Sequence, residues 1–186
     1  MTEALPRVTA ILQDVGLGPD FTGVPAAVLE VARIRGSAVH AAIEGIVYKY
    51  LDESALAEDV LPRLDAYRRF VKESGYETIH TEIEVVHEAW RYRGHPDSVG
   101  WLVKRRAILD FKNMDSMDST AHRAASLQLC AYRAAWNAQH PALPVDALAV
   151  VQLLSDGTYR VHEASIAEWE PLWFAAVMVF HAKAAR

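Results

Sequence analysis

The sequence predicts a mixed α/β fold, a central mixed β-sheet flanked by helices, and three observations carry that expectation. The apolar period changes along the chain, from helical spacing before residue 74 to alternation between about 78 and 111, then helical again, then alternating, then helical. Punctuating residues fall where the period changes: Ser74-Gly75, Gly94-His95-Pro96, Pro141 with Pro144, and Asp156-Gly157. The composition is that of an ordinary globular protein, 52% hydrophobic and 23% charged over 186 residues, long enough to bury a core without cross-links.

Taken in order, Gly16, Gly18, Pro19, Gly23 and Pro25 confine the start to a short helix and a loop. From about Ala26 to Leu51 apolar residues recur at three and four, through Val28, Val31, Val39, Ile43 and Ile46. Gly36 is expected to divide this stretch into two helices. A further helix is expected from about Ser54 to Lys72, capped by Ser74-Gly75. Thr78–Trp90 alternates, with Ile79, Ile83 and Val85 against Glu82 and Glu84, and reads as a strand. Ser98–Val103 and Ala107–Phe111 read as two more, joined through Lys104-Arg105-Arg106. The alanine-rich stretch from Ser119 to about Asn137 reads as a helix. Ala147–Leu154 and Thr158–Val161 form a strand pair about the Asp156-Gly157 turn. Ile166–Ala184 reads as an amphipathic helix. The division expected is one domain over 1–186, with an N-terminal extension (1–25), a core (26–163) and a C-terminal helix (164–186).

Several function classes are excluded at this level. One cysteine, Cys130, builds neither a disulfide framework nor a cysteine-ligated zinc or iron–sulfur site, and a reducing, cytoplasmic setting is the expectation. A net charge of −5 argues against a non-specific DNA coat but leaves room for a local basic patch. No GxxxxGK[ST] loop occurs. The opening Met-Thr-Glu-Ala-Leu-Pro-Arg does not lead into an apolar run, so no signal peptide is expected. The apolar stretch near Leu172–Phe180 is too short to span a bilayer, and no membrane partner is expected.

The chemistry concentrates in Gly94-His95-Pro96-Asp97 and Ile108-Leu109-Asp110-Phe111-Lys112. Asp110 and Lys112 are two apart on a strand and share a face. With Lys104-Arg105 as a two-residue turn, Val103 faces Arg106, Asp97 falls opposite Lys112 and Val99 opposite Asp110. Asp97, Asp110 and Lys112 then cluster on one face. A four-residue loop keeps that parity, whereas three or five residues put Asp97 on the other face. Two carboxylates converging beside a lysine suit a hard divalent cation, and a lysine there can orient an attacking water and neutralise charge on a phosphorus.

Pro96-Asp97 followed by Asp110-Phe111-Lys112 resembles the PD-(D/E)XK nuclease superfamily. Arg35-Gly36-Ser37-Ala38-Val39-His40 resembles the first motif of its RecB-like and phage-type exonuclease branch, and Gln128-Leu129-Cys130-Ala131-Tyr132 resembles that branch's QxxxY motif. The four motifs run in family order from Arg35 to Tyr132. The resemblance implies a restriction-endonuclease-like core and a Mg2+- or Mn2+-dependent DNA exonuclease of phage or prophage recombination and repair, working in a bacterial cell or phage-infected host. It implies metal binding by His40, Asp97, Asp110 and the Phe111 carbonyl, with Lys112 as the catalytic lysine alongside Asp97 and Asp110. It also implies DNA contact by Gln128 and Tyr132, a possible homo-oligomeric ring, and a single-strand annealing protein as a possible partner. Asn113 stands where the family commonly has threonine. The absence of clustered cysteines separates the chain from members with an iron–sulfur cluster.

Other residues carry two readings each. Glu44, one turn after His40, and Glu82 are candidate additional acids of the site or solvated charges. Arg35, taken to lie at a helix start, is a candidate for a terminal phosphate. Lys104, Arg105 and Arg106, with Arg91 and Arg93, are candidate phosphate contacts or a solubilising turn. Asp115 and Asp118 read as a solvated loop. Two alternatives to an exonuclease remain on the same fold: a structure-specific or restriction-like endonuclease, and a catalytically idle DNA-binding module.

Overall fold

A computed structural model describes residues 4–184. The readings that touch residues 1–3 and 185–186, on a signal peptide and on the end of the C-terminal helix segment, lie outside the described residues. The helices are α1 (Val8–Asp14), α2 (Ala26–Val47), α3 (Leu61–Ser74), α4 (Ser119–Gln139) and α5 (Ile166–Ala184). The strands are β1 (Glu77–Thr81), β2 (Val85–His87), β3 (Tyr92–Gly94), β4 (Ser98–Leu102), β5 (Arg105–Asn113), β6 (Ala147–Leu153) and β7 (Tyr159–Glu163).

Five strands form one mixed sheet in the order β1-β4-β5-β6-β7, and β2-β3 is a separate hairpin. Only β5 and β6 are parallel, and α4 is the crossover between them. Alternation along the central strands sorts two cores. Ala107, Leu109 and Phe111 face the cluster built with α2 and α3, while Val99 and Ile108 face the cluster built with α1, α4 and α5. Asp110 and Lys112 continue the even-numbered face and so point toward α4. Strands buried on both faces read as nearly continuous apolar runs, which is the pattern of β5 and β6.

The mixed α/β expectation holds, with local corrections. Helix α2 runs unbroken through Gly36, whose missing side chain leaves open space and no clash to relieve. Helix α3 begins at Leu61, later than expected. A 3-10 turn at Glu53–Ala55 precedes it, started by the Asp52 carboxylate accepting the Ser54 amide. Gly75 caps α3 at φ 65°, a left-handed position that glycine takes without a steric penalty. The single strand expected over 78–90 is two. Glu82 sits at φ 49°, which ends β1, and the chain re-enters extended conformation as β2 of the small hairpin. Helix α1 is part of the core: Val8, Ile11 and Leu12 are buried with α4 and α5 residues. No helix among the described residues is long and apolar enough to cross a membrane.

The β4–β5 register is also corrected. The turn is Val103-Lys104, both at positive φ (48° and 65°), and Leu102 pairs with Arg105. This is the backbone of a two-residue turn that usually carries Asn-Gly, so a β-branched valine there gave no sequence signal. Pairing shifts by two residues. Ser98 lies opposite Leu109, and the same register carried one step further puts Asp97 opposite Asp110. A shift of two preserves the face, so the expected cluster survives the error.

Candidate active site

The open end of the β4–β5 hairpin brings the two aspartates together. Asp97 precedes β4, and its Oδ2 accepts the Phe111 amide at 2.6 Å, a side chain standing in for a ladder bond. Asp110, in the middle of the sheet, is 1% exposed. The Lys112 ammonium donates to Asp110 Oδ1 at 3.0 Å and lies 2.9 Å from Oδ2. Oδ2 nevertheless has no hydrogen-bond partner among the described residues.

Helix α2 reaches this end of the sheet through His40. Its Nε2 is 3.0 Å from the Phe111 carbonyl oxygen, and its Nδ1 is 3.3 Å from Glu82 Oε1 and 3.5 Å from Asp97 Oδ1. Glu82 gets there because of its left-handed backbone, a conformation that costs a non-glycine residue about 1–3 kcal/mol and tends to occur where function requires it. Its amide also donates to the Asp97 carbonyl at 3.2 Å. One ligand atom each from His40, Glu82 and Asp97 lie within 4.8 Å of one another.

The electrostatics follow from burial and like charge. Burial and the neighbouring Asp110 carboxylate raise the Asp97 pKa to about 7, against the opposing pull of His40 and Lys112. Burial alone would lower the His40 pKa, but Asp97, Glu82 and Asp110 outweigh it and raise it to about 9. Lys112 likewise loses solvation, yet Asp110 and Asp97 raise its pKa and keep it an ammonium. At neutral pH the His40 imidazolium and the Lys112 ammonium thus both offset the two aspartates at this end of the sheet. A buried carboxylate whose Oδ2 makes no hydrogen bond, a second carboxylate beside it, an imidazole and the backbone carbonyl that the imidazole meets are a donor set that suits a divalent cation. The candidate ligands His40, Asp97, Asp110 and the Phe111 carbonyl therefore fit such an ion, with Glu82 adjacent.

The structure treats the remaining candidates unequally. Gln128 and Tyr132 meet on α4, where the Gln128 amide donates to the Tyr132 hydroxyl at 2.6 Å. Tyr132 is 3% exposed, a core residue whose ring packs on Gly94, so it offers no surface for a DNA strand. A Cβ at Gly94 would stand 2.2 Å from the Tyr132 ring. Glu44 lies beside the cluster, on the wall of a cleft shared with His40, Glu82 and Asp97. Arg35 is in the interior of α2, away from any helix start, and is 3.6 Å from Asp59, so the expected helix-end rationale fails. The basic turn lies at the other end of the hairpin. From Arg106 to Lys112 is six residues, about 20 Å of strand. There Arg105 bonds the Asp146 carbonyl, Arg106 stacks over Trp101 at 4.7 Å, and neither joins the aspartates.

Three residues that hold the segment after Lys112 escaped the sequence reading. Asp115, expected in a solvated loop, accepts from buried Arg63 and from the Ser155 amide at 2.7 Å. Buried Gln152, paired with Lys112 across β5–β6, donates to the Met114 carbonyl at 3.0 Å. The available signal was Gln152 itself, a lone polar residue in the run Ala147–Leu154.

No family model matches the chain, and no curated protein matches it. Among solved structures, a putative exonuclease from Eubacterium rectale superposes with a TM-score of 0.59 at 13% identity, over 94% of this chain and 71% of that one. LHK-Exo in complex with dAMP aligns more loosely, with a TM-score of 0.45 at 14% identity, over 96% of this chain and 89% of that one. At such identities the first likeness is one of fold. This chain therefore shares its overall fold with a protein described as a putative exonuclease.

Proposed function

We propose that the chain is a metal-dependent deoxyribonuclease, an exonuclease acting on DNA ends. The observation that supports it most is the convergence of Asp97, buried Asp110 and Lys112 at one end of the sheet, closed by His40 from α2. Two acids held this close beside a lysine suit a divalent cation, and hydrolysis of a phosphodiester is chemistry that uses such a cation and a lysine together.

Under this reading His40, Asp97, Asp110 and the Phe111 carbonyl hold the ion, and Mg2+ or Mn2+ both suit the oxygen donors, with imidazole favouring the latter. When bound, the ion would lower the pKa of a water and stabilise the leaving oxygen. Lys112, kept charged by the two aspartates, orients the incoming water and balances charge on the phosphoryl oxygens. Asp97 fixes the end of β5 through the Phe111 amide, so the carbonyl of the same residue is held in place. Gln152 and the Arg63–Asp115 pair anchor the chain just after Lys112. The resemblance of its motifs to phage-type exonucleases supports a role in phage or prophage recombination and repair.

The test is incubation with linear and covalently closed circular duplex DNA, with Mg2+, Mn2+ or chelator, beside Lys112→Ala. Loss of linear DNA alone, dependent on metal and absent in the variant, is the expected result. Nicking or cutting of the closed circle makes the chain an endonuclease. Metal-independent binding without cleavage of either form makes it a binding module.

A further inference from the structure

A cavity of about 260 Å3 opens beside Lys112 on the α4 side of the sheet. Its floor is Ala124 and Ala125 of α4, and its walls are Leu12 of α1, Phe21 of the α1–α2 loop, and Met114 and Met117 of the β5–α4 loop. Lys112, Gln128 and Thr9 supply polar groups to a lining that is otherwise apolar. Phe21 is 54% exposed, yet its backbone is held. The Asp20 carboxylate accepts the Thr22 amide at 2.8 Å, and the Phe21 carbonyl accepts the Val24 amide at 3.0 Å. A half-exposed aromatic on a braced loop, lining one cavity with two thioethers, is an arrangement for a flat apolar group.

Resting on the nuclease reading, we propose that this cavity takes the nucleobase of the nucleotide whose phosphate lies at Lys112, and that this base is unpaired when it enters. Lys112 is shared by the cavity and the aspartate cluster, so a nucleotide with its phosphate at the ammonium has its base next to the cavity mouth. The volume lies below the range of pockets that hold larger ligands, which matches one base in preference to a base pair. Stacking on an aromatic ring is tolerant of base identity, so Phe21 and the methionines give grip with little sequence preference. A base reaches such a pocket only by leaving its stack, so the preferred substrate is a single strand or a frayed end.

The chain has four methionines, Met1, Met114, Met117 and Met178, which makes methyl-labelled methionine a direct reporter. In Mg2+, thymidine 5′-monophosphate should shift the Met114 and Met117 methyl signals and leave Met178, exposed on α5, unmoved. Deoxyribose 5-phosphate, which has no base, should not move them. Phe21→Ala, at an exposed position, and Ala121→Trp, which fills the cavity, should each weaken the effect roughly tenfold. In cleavage of a single-stranded oligonucleotide, an abasic residue at the scissile position should slow the wild type roughly tenfold, and Phe21→Ala should bring the two substrates level. Equal shifts with the sugar phosphate, shifts unchanged in both variants, or equal wild-type cleavage of both oligonucleotides overturns the proposal. Base-dependent methyl shifts with no cleavage of any DNA would sink the nuclease reading and leave the nucleotide pocket standing.

Discussion

The two ends of the β4–β5 hairpin carry opposite charges and handle them in opposite ways. At the turn, Lys104, Arg105 and Arg106 lie in or near solvent, and the arginines find partners in Asp146, the Pro144 carbonyl and the Trp101 ring. Exposed pairs of this kind contribute about 0–1 kcal/mol each and can be exchanged without consequence for the fold. At the open end, Asp97 and Asp110 are buried side by side, and one carboxylate oxygen has no hydrogen-bond partner. Nothing in folding alone requires that arrangement, because burial and like charge both oppose it. The density of basic residues in the sequence pointed to the turn as a DNA contact. The structure locates the unresolved electrostatic need at the other end.

The largest effect should come from Asp97→Asn. The amide oxygen can still accept the Phe111 N–H, so local geometry survives while one charge disappears. Metal-dependent cleavage should fall by at least about a hundredfold. Stability should move the other way. The folded-state pKa of Asp97, about 7, lies above its ordinary 3.8, so the unfolded chain sheds that proton first and stability falls as pH rises from about 4 to 7. Asparagine removes that cost. Without metal at pH 8, the variant should melt at least about 2 °C above the wild type. A variant that is both inactive and less stable would mean that the aspartate is structural.

Metal and proton should compete at the same end. The His40 pKa is raised to about 9, so its favourable contribution is complete below 6.5 and is lost as pH rises through 9. Asp97 and His40 together make the metal-free protein less stable with rising pH over this range. A divalent ion needs both groups deprotonated, so the rise in melting temperature on adding Mn2+ should grow steadily from pH 6 to pH 9. A metal-induced shift of equal size at every pH would break the link between the imidazolium and the cation.

The legible parts of the molecule were those fixed by period and parity. Strand alternation placed Asp110 and Lys112 on one face, and a turn of even length kept Asp97 with them, even though the turn was assigned one position from its true place and the pairing therefore two residues out of register. Local backbone that runs against residue preference was not legible. Val103 and Lys104 at positive φ, and Glu82 in the left-handed region, have no composition signal because each is the wrong residue for its conformation. The same holds for long-range partners. Arg63 reaches Asp115 across 52 positions, and no periodicity encodes that contact. The burial of Tyr132 is a case of an aromatic whose helical spacing suited either role; the close approach of Gly94 made it core.

That close approach is a smaller lever on the same end of the hairpin. Gly94→Ala forces its methyl against the Tyr132 ring and should destabilise the protein by about 1–3 kcal/mol, measured by denaturant unfolding. Tyr132→Leu in the same background should recover part of the loss, because it removes the atoms the methyl meets. If Gly94→Ala is neutral, α4 is not packed on β3 as described.

The smallest effects belong to the turn. Lys104→Ala, Arg105→Ala and Arg106→Ala should each change stability by no more than about 0.5 kcal/mol, since the charges lie at the surface and their partners remain solvated. Their effect on DNA is the sharper question. A residue that neutralises a phosphate lowers the slope of log affinity against log salt by about 0.9 when removed. With about 20 Å of strand between Arg106 and Lys112, a substrate short enough to fill only the aspartate end cannot reach the turn. A salt titration on a short single strand should therefore give the same slope for the triple variant and the wild type. A change in slope on a long duplex, with none on the short strand, would extend the DNA path along the sheet to the turn. A change on both would bring the two ends of the hairpin into one binding site and undo the contrast between them.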